Sequence, residues 1–361
     1  MTDSDREKAA ESPAEAPLAS EAAAAPEGLE PARPAADGDG VAPDAPAAPA
    51  DVETQPDPPA GTPVKPPKRK GHWFDDLKAI FWLILAVLTF HSCVAKPFYI
   101  PSESMMPGLL KGDRLVVSKY PYGWSWVSPS FHIFPQWQGR IWGAMPRRGD
   151  VVIVTPRGQS SDYIKRVIAL PGDTIQVVDG VVILNGRPLR REARPPAMIP
   201  IDGNVTCEDD MWGSHRAPGA DGRVYCRLPV FREYLPDGRY YDTIDVSEGS
   251  SRGPSAGDDY RLTTIPAGHV FLMGDNRDHS ADSRFDLGPP DNGLGGPVPW
   301  ENIGGRAEFI TFSLDGSSSY WNPISWFTAL RGGRAGTSLH PSSGPPQPAA
   351  QPGAQPGAPR R

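Results

Sequence analysis

The longest apolar stretch of the chain runs from Ala79 to Ala95, 17 residues between Lys78 and Lys96 with no formal charge unless His91 is protonated. That is the short end of what spans a bilayer as a helix, and Phe98, Tyr99 and Ile100 extend its apolar reach past Lys96. Charged flanks and adjoining aromatics suit a membrane interface better than a buried core helix. After Lys96 the pattern changes. Apolar runs become short, at Leu115–Val117, Val151–Val154, Thr174–Val178, Val181–Leu184, Val270–Met273 and Glu308–Leu314, and turn residues separate them, as in Leu170-Pro171-Gly172-Asp173 and Asp179-Gly180. Such runs predict strands, and no long segment of helical period competes. The expected fold is mainly β: a single N-terminal transmembrane helix, then a β-rich barrel or coiled sheet system reaching to about Arg331.

Charge orients this plan. Lys65, Lys68, Arg69 and Lys70 precede the apolar segment and only Lys96 follows it closely, so the positive-inside rule puts the N-terminus in the cytoplasm and everything after Ala95 outside. A cleavable export signal ending at Val94-Ala95 is a rival reading. Against it, 78 residues precede the segment, whereas export signals begin within a short basic region. Residues 1–62 carry 14 Asp+Glu against 3 Lys+Arg, a balance of −11, which leaves +4 of the net −7 for the rest. With no aromatic residue and little to bury, residues 1–72 are expected to be a disordered, solvated spacer. Residues 332–361, with repeated Gln-Pro-Gly, are expected to form a second such tail. The remainder divides into an anchor over 73–97 and an outer domain over 98–331.

Of the three cysteines, Cys93 lies in the apolar segment, and Cys207 and Cys226 lie in the outer portion. An oxidising compartment would let the latter two close a loop, although spacing alone does not settle the bond. The histidines are scattered and no cluster has metal-ligand spacing, so no metal and no cofactor are expected.

Three polar stretches carry candidate chemistry. Tyr99 to Gly123 reads YIPSESMMPGLLKGDRLVVSKYPYG, which places Ser104 at a turn beside the membrane segment and before a strand. Asp162 to Ile168, DYIKRVI, puts Lys165 inside an expected strand among apolar residues, where a lysine is ordinarily a solvated edge charge. Gly274 to Arg284, GDNRDHSADSR, is a dense polar turn directly after the apolar run Val270–Met273; it suits either a surface loop or a hydrogen-bonded network around a site.

In order, the anchor, PSESMMP, GDRLVVSKYPYG, RRGDVVIV, DYIKRVIALPGD and GDNRDHSADSR resemble the type I signal peptidases over about Trp73 to Leu314. These are membrane-bound serine proteases that remove signal sequences from exported proteins. The resemblance implies a catalytic β-core with an inserted variable β-rich region, here at about residues 187–264. It also implies Ser104 as nucleophile and Lys165 as general base, acting through an acyl-enzyme. A lysine accepts a proton only when neutral, and with a reference pKa of about 10.4 roughly one in 2,500 is neutral at pH 7, so burial must lower the pKa. Arg166 must then point away from Lys165, as strand alternation predicts. By motif position Ser102 offers its hydroxyl and Ser104 its N–H to the oxyanion, Ser280 orients the lysine amine, and Asp282 pairs with Arg284. Phe98, Ile100, Pro101, Met105, Leu109, Asp162, Tyr163 and Ile164 match positions that hold an extended substrate with small side chains at the first and third residues before the cut.

The partners implied are signal-peptide-bearing preproteins, the lipid bilayer and, as a candidate, the export translocon, with no nucleic acid. The implied location is the inner (plasma) membrane, single-pass, with the catalytic domain extracytoplasmic. Glu103 stands where the family commonly has glycine, Gly108 where threonine is usual, and His279 where asparagine is common. Tyr120 to Gly143 holds Trp124, Trp126, Trp137 and Trp142 with Phe131 and Phe134; this loop, and Asn322 to Phe327 as a second contact, read as membrane-surface elements. Rival readings are a dedicated conjugation-system maturation peptidase, a self-cleaving repressor, which the anchor and the lack of a DNA-binding motif oppose, and an inactive membrane-tethered binding domain.

Overall fold

The computed structural model of the chain describes residues 73–129, 135–159, 161–207, 215–246, 257–319 and 321–344. The expected N-terminal tail, residues 345–361 of the C-terminal one, and Phe131 and Phe134 lie outside the described residues.

Helix α1, Trp73–Cys93, has 21 residues, about 32 Å at 1.5 Å per residue, the thickness of a bilayer core. None of its residues is buried, and its mean hydropathy of 1.5 qualifies it as a candidate membrane span. The apolar reach does not continue as helix through Phe98, Tyr99 and Ile100. Instead Ala95–Tyr99 forms strand β1, antiparallel to β2, Asp113–Ser118, with Phe98 opposite Leu115. Pro97 has no N–H to donate and its ring obstructs a helix interior, so the chain leaves the helix at Cys93 and enters the sheet two residues later.

Three sheets follow, all with antiparallel pairing. The first has seven strands in the order β1-β2-β15-β3-β4-β13-β14. Its further members are β3 (Val151–Val154), β4 (Tyr163–Ala169), β13 (His269–Met273), β14 (Val298–Pro299) and β15 (Ile303–Ser313). The second has the order β12-β5-β6-β7, from Thr174–Val178 (β5), Val181–Leu184 (β6), Arg187–Pro188 (β7) and Tyr260–Thr264 (β12). The third runs β16-β11-β10-β8 with β9 also on β10; these are Arg190–Pro200 (β8), Arg216–Pro218 (β9), Val224–Tyr234 (β10), Arg239–Ile244 (β11) and Ser342–Ser343 (β16). The region read as an insertion thus supplies four strands of the third sheet, while its two ends pair into the second. A disulfide joins Cys207 to Cys226.

The core explains where the polar turns sit. Ile100, Met105, Leu109, Leu115, Val117, Val151, Ile153 and Ile164 form one buried cluster on the first sheet. Met106 and Leu110 instead join Ile199, Cys207, Cys226, Leu228 and Ile244 of the third-sheet region. The turn carrying Ser104 is therefore wedged between two sheets by consecutive methionines. Residues 332–344, expected within a disordered tail, are part of the fold: Leu339 is buried on the first-sheet cluster, and Arg334 hydrogen-bonds Asp113 and the Gly108 carbonyl, at 2.9 and 3.0 Å. A short helix α2, Ile324–Thr328, lies near the end of β15, whose Leu314 neighbour pairs with Leu330.

Candidate active site

The turn after β1 is closed by the Met106 amide on the Glu103 carbonyl and the Leu109 amide on the Met105 carbonyl. The Leu110 amide donates to the Asp113 carboxylate, which ties the turn to the start of β2. Ser104 is thereby held buried at the turn, with 7% of its surface exposed. On β4, Lys165 lies opposite Val152 of β3 and is 4% exposed. Its Nζ is 2.9 Å from Ser104 Oγ. Burial pushes the Lys165 pKa down to about 8, with the Asp282 and Asp275 carboxylates pulling it up and Arg284 pushing it down.

Arg166, the next residue, turns to the other side of the strand. Its Nε and Nη2 donate to the two Asp275 carboxylate oxygens at 2.7 and 2.6 Å, and its Nη1 donates to the Gly149 carbonyl. The cation beside the lysine is thus neutralised away from the Ser104 contact.

The GDNRDHSADSR turn is pinned from several sides. Asp282 accepts from the Gly274 amide at 2.9 Å and from Arg284 Nε and Nη2, both at 2.9 Å. Burial alone would raise the Asp282 pKa, but the Arg284 charge and these hydrogen bonds hold it below the usual carboxylate value. Both partners are almost wholly buried, so this is no solvated surface pair. Asn276 stitches the turn to the Ser104 turn: its amide donates to the Ser104 carbonyl, and its Nδ2 to the Glu103 carbonyl. Gly274 is needed here because a Cβ would collide with Ser280 Oγ and the Ser104 carbonyl. His279 Nδ1 stands 3.6 Å from Glu103 Oε2, so two of the departures noted in the sequence meet in space.

Several expected residues gather at the Ser104–Lys165 contact. Ser102 Oγ is 3.3 Å from Ser104 Oγ. Ser280 is buried beside Gly274, but its Oγ makes no hydrogen bond among the described residues, because the Lys165 amine is directed to Ser104. Ile100, Met105, Leu109 and Ile164 share one apolar cluster with Phe98 packed on it. Pro101 is exposed and Asp162 accepts from Thr155 Oγ1, while Tyr163 packs on the adjoining cluster with its ring centroid 5.6 Å from Lys165 Nζ and its Oη donating to the Asn292 carbonyl, so these three border that cluster without belonging to it. Sequence reasoning missed Glu233 of β10, which pairs with Arg277 from a region with no motif of its own.

A second buried lysine sharpens the comparison. Lys119 is 3% exposed and its pKa is also lowered to about 8, by burial first and then by Lys96. Its amine rests on the Ser128 carbonyl, and no side-chain hydroxyl is among its hydrogen-bond partners in the described residues. Geometry, not pKa, separates the two. In the tryptophan-rich loop Trp126 is buried, Trp137 is partly exposed and Trp142 is 84% exposed. Trp124 Nε1 donates to the Cys93 carbonyl at the end of α1.

The family model described as signal peptidase, peptidase S26, matches residues 73–312. The signal peptidase I of Rickettsia typhi is 35% identical over 237 residues, covering 64% of this chain and 77% of that protein. The signal peptidase I of Rickettsia canadensis is 34% identical over 241 residues, covering 65% and 78%. A crystal structure of a signal peptidase I from Enterococcus faecalis V583 is 21% identical and covers 45% of this chain and 97% of that one. The TM-score of that match is 0.22.

Proposed function

The chain belongs to the signal peptidase family, peptidase S26, and from that premise we propose that it is a membrane-bound serine endopeptidase that removes signal peptides from exported preproteins, with Ser104 as nucleophile and Lys165 as general base. The observation that carries this reading is the 2.9 Å contact between Lys165 Nζ and Ser104 Oγ in a buried setting. A pKa near 8 leaves about one lysine in ten neutral at pH 7, some two orders of magnitude more than in water. Neutral Lys165 takes the hydroxyl proton as Ser104 Oγ attacks the scissile carbonyl. The oxyanion accepts hydrogen bonds from Ser102 Oγ and the Ser104 N–H. The resulting ammonium then protonates the leaving amine, and the acyl-enzyme is released by a water that Lys165 deprotonates in turn.

Substrate selection rests on the apolar cluster of Phe98, Ile100, Met105, Leu109 and Ile164, which offers no charge to read and favours small side chains, with Pro101, Asp162 and Tyr163 at its margin. The anchor is α1, with the N-terminus cytoplasmic and the catalytic domain outside the inner membrane. The bilayer is also met by exposed Trp142, Trp321, Ile324 and Phe327, apolar side chains of the kind that favour the headgroup region. The bond from Trp124 to the Cys93 carbonyl keeps the tryptophan loop at the exit of the span. Cleavage of several unrelated preproteins after small-x-small tripeptides by the detergent-solubilised protein tests the proposal. Cleavage of one dedicated substrate alone would favour a maturation peptidase, and no cleavage would favour a binding role.

A further inference from the structure

We infer that Glu233 is a positioning residue for the peptidase reaction: from the inserted region, its carboxylate holds Arg277 and so fixes the Gly274–Ser280 turn against Ser104 and Lys165. The inference rests on the peptidase reading above and adds a residue that no motif contains. Glu233 and Arg277 have side chains 2% exposed. Arg277 Nη1 and Nη2 donate to the two Glu233 oxygens at 2.6 and 2.5 Å, the fork geometry in which a carboxylate fixes a guanidinium in direction as well as place. Tyr241 Oη of β11 donates to Glu233 Oε2 at 2.9 Å, so the carboxylate is itself aimed by its own sheet.

Arg277 passes that constraint on. Its Nε donates to the Gly274 carbonyl at 3.2 Å, and its own carbonyl accepts from Arg284 Nη2 at 2.6 Å. Gly274 is the residue packed against Ser280 Oγ and the Ser104 carbonyl. A second tie runs in parallel, from the Ile244 amide at the end of β11 to the Asp275 carbonyl, and Asp275 holds Arg166 beside the lysine. Charges balance within this buried group: Arg166, Arg277 and Arg284 stand against Asp275, Glu233 and Asp282. Removing the Glu233 charge leaves Arg277 a buried cation without its carboxylate partner, which disfavours a further cation at Lys165 and frees the turn to shift.

The test is steady-state kinetics and a pH profile of the full-length, detergent-solubilised protein carrying Glu233→Gln, on a signal-peptide substrate, with melting followed in parallel. The expected result is a kcat lowered about ten- to a hundredfold, the scale of a small misplacement in an active site. KM should stay within about twofold, and the acid limb of kcat/KM should move to lower pH. An unchanged kcat with an unmoved limb overturns the inference; so does a loss of rate that tracks lower melting with the limb unmoved, which marks plain destabilisation. If Glu233→Gln does not fold, the pair Glu233→Leu with Arg277→Met removes both buried charges at once. That variant should be folded yet slow, and a normal kcat overturns the inference. Absence of cleavage by the unsubstituted protein would sink the peptidase reading instead, so the two failures are told apart.

Discussion

Lys165 and Arg166 are neighbours on one strand and are spent on opposite sides of it: the lysine amine on Ser104 Oγ, the guanidinium on both oxygens of Asp275. Strand alternation makes this separation. Under the proposed mechanism it allows a neutral lysine to persist next to an obligatory cation, since the arginine charge is matched by the Asp275 carboxylate.

The pH dependence follows from that arrangement. With Lys165 lowered to about 8 by burial, the ammonium form, inactive under the proposed mechanism, dominates below that value. Activity should therefore fall about tenfold per pH unit on the acid side and level off above about 8. Lys119 has a similarly lowered pKa but no contact with a reacting group, so Lys119→Met should leave the position of the acid limb unchanged. A limb that moves in Lys119→Met and not in a Lys165 variant with residual activity would reassign the titration.

Asp282→Asn should be strongly destabilising. Arg284 would be left buried beside a neutral amide, and breaking a buried pair of this kind costs about 3–5 kcal/mol. Denaturant unfolding of the two proteins measures it. A loss below about 1 kcal/mol would mean that the pair behaves as a solvated one.

The two chain ends should respond differently to truncation. Deleting residues 1–62 should leave cleavage of a short peptide within about twofold, because a stretch with an acidic excess and no aromatic residue has little to bury. Deleting residues 332–361 removes Leu339, whose burial is worth about 1.5–3 kcal/mol, and Arg334 with its bonds to Asp113 and Gly108. That truncation should lower both melting temperature and turnover. Equal tolerance of both deletions would contradict the packing of residues 332–344.

Topology is checked by adding a protease to intact spheroplasts. The region after Ala95 should be digested and residues 1–70 protected. The reverse pattern would invert the orientation drawn from Lys65, Lys68, Arg69 and Lys70.

How far the sequence could be read depended on the range of the interaction. Val151–Val154, Thr174–Val178 and Val181–Leu184 are strands as their apolar runs foretold, since a short β-rich run between turn residues is a local signal. The family likeness was legible because its motifs occur in order. The end of α1 was not, because Phe98, Tyr99 and Ile100 are as apolar as the helix before them; Pro97 and the pairing with β2 decide it. Leu339 and Arg334 sit in a Gly/Ser/Pro-rich stretch whose composition gives no hint of a partner more than 200 positions away. Glu233 lies 44 positions from Arg277 in a run of mixed polarity, and only the fold brings the two together.

The central claim, that Ser104 and Lys165 form the reacting pair, is tested most directly by kcat/KM of Ser104→Ala, Lys165→Arg and Ser102→Ala on one signal-peptide substrate, with folding checked by circular dichroism. Ser104→Ala should be inactive. Lys165→Arg should be nearly so although it keeps the charge, because a guanidinium does not give up its proton at usable pH. Ser102→Ala should lose about 10²- to 10³-fold in kcat, the scale of one oxyanion donor. Near-normal cleavage by folded Lys165→Arg would contradict the account, since no lysine base would then be needed.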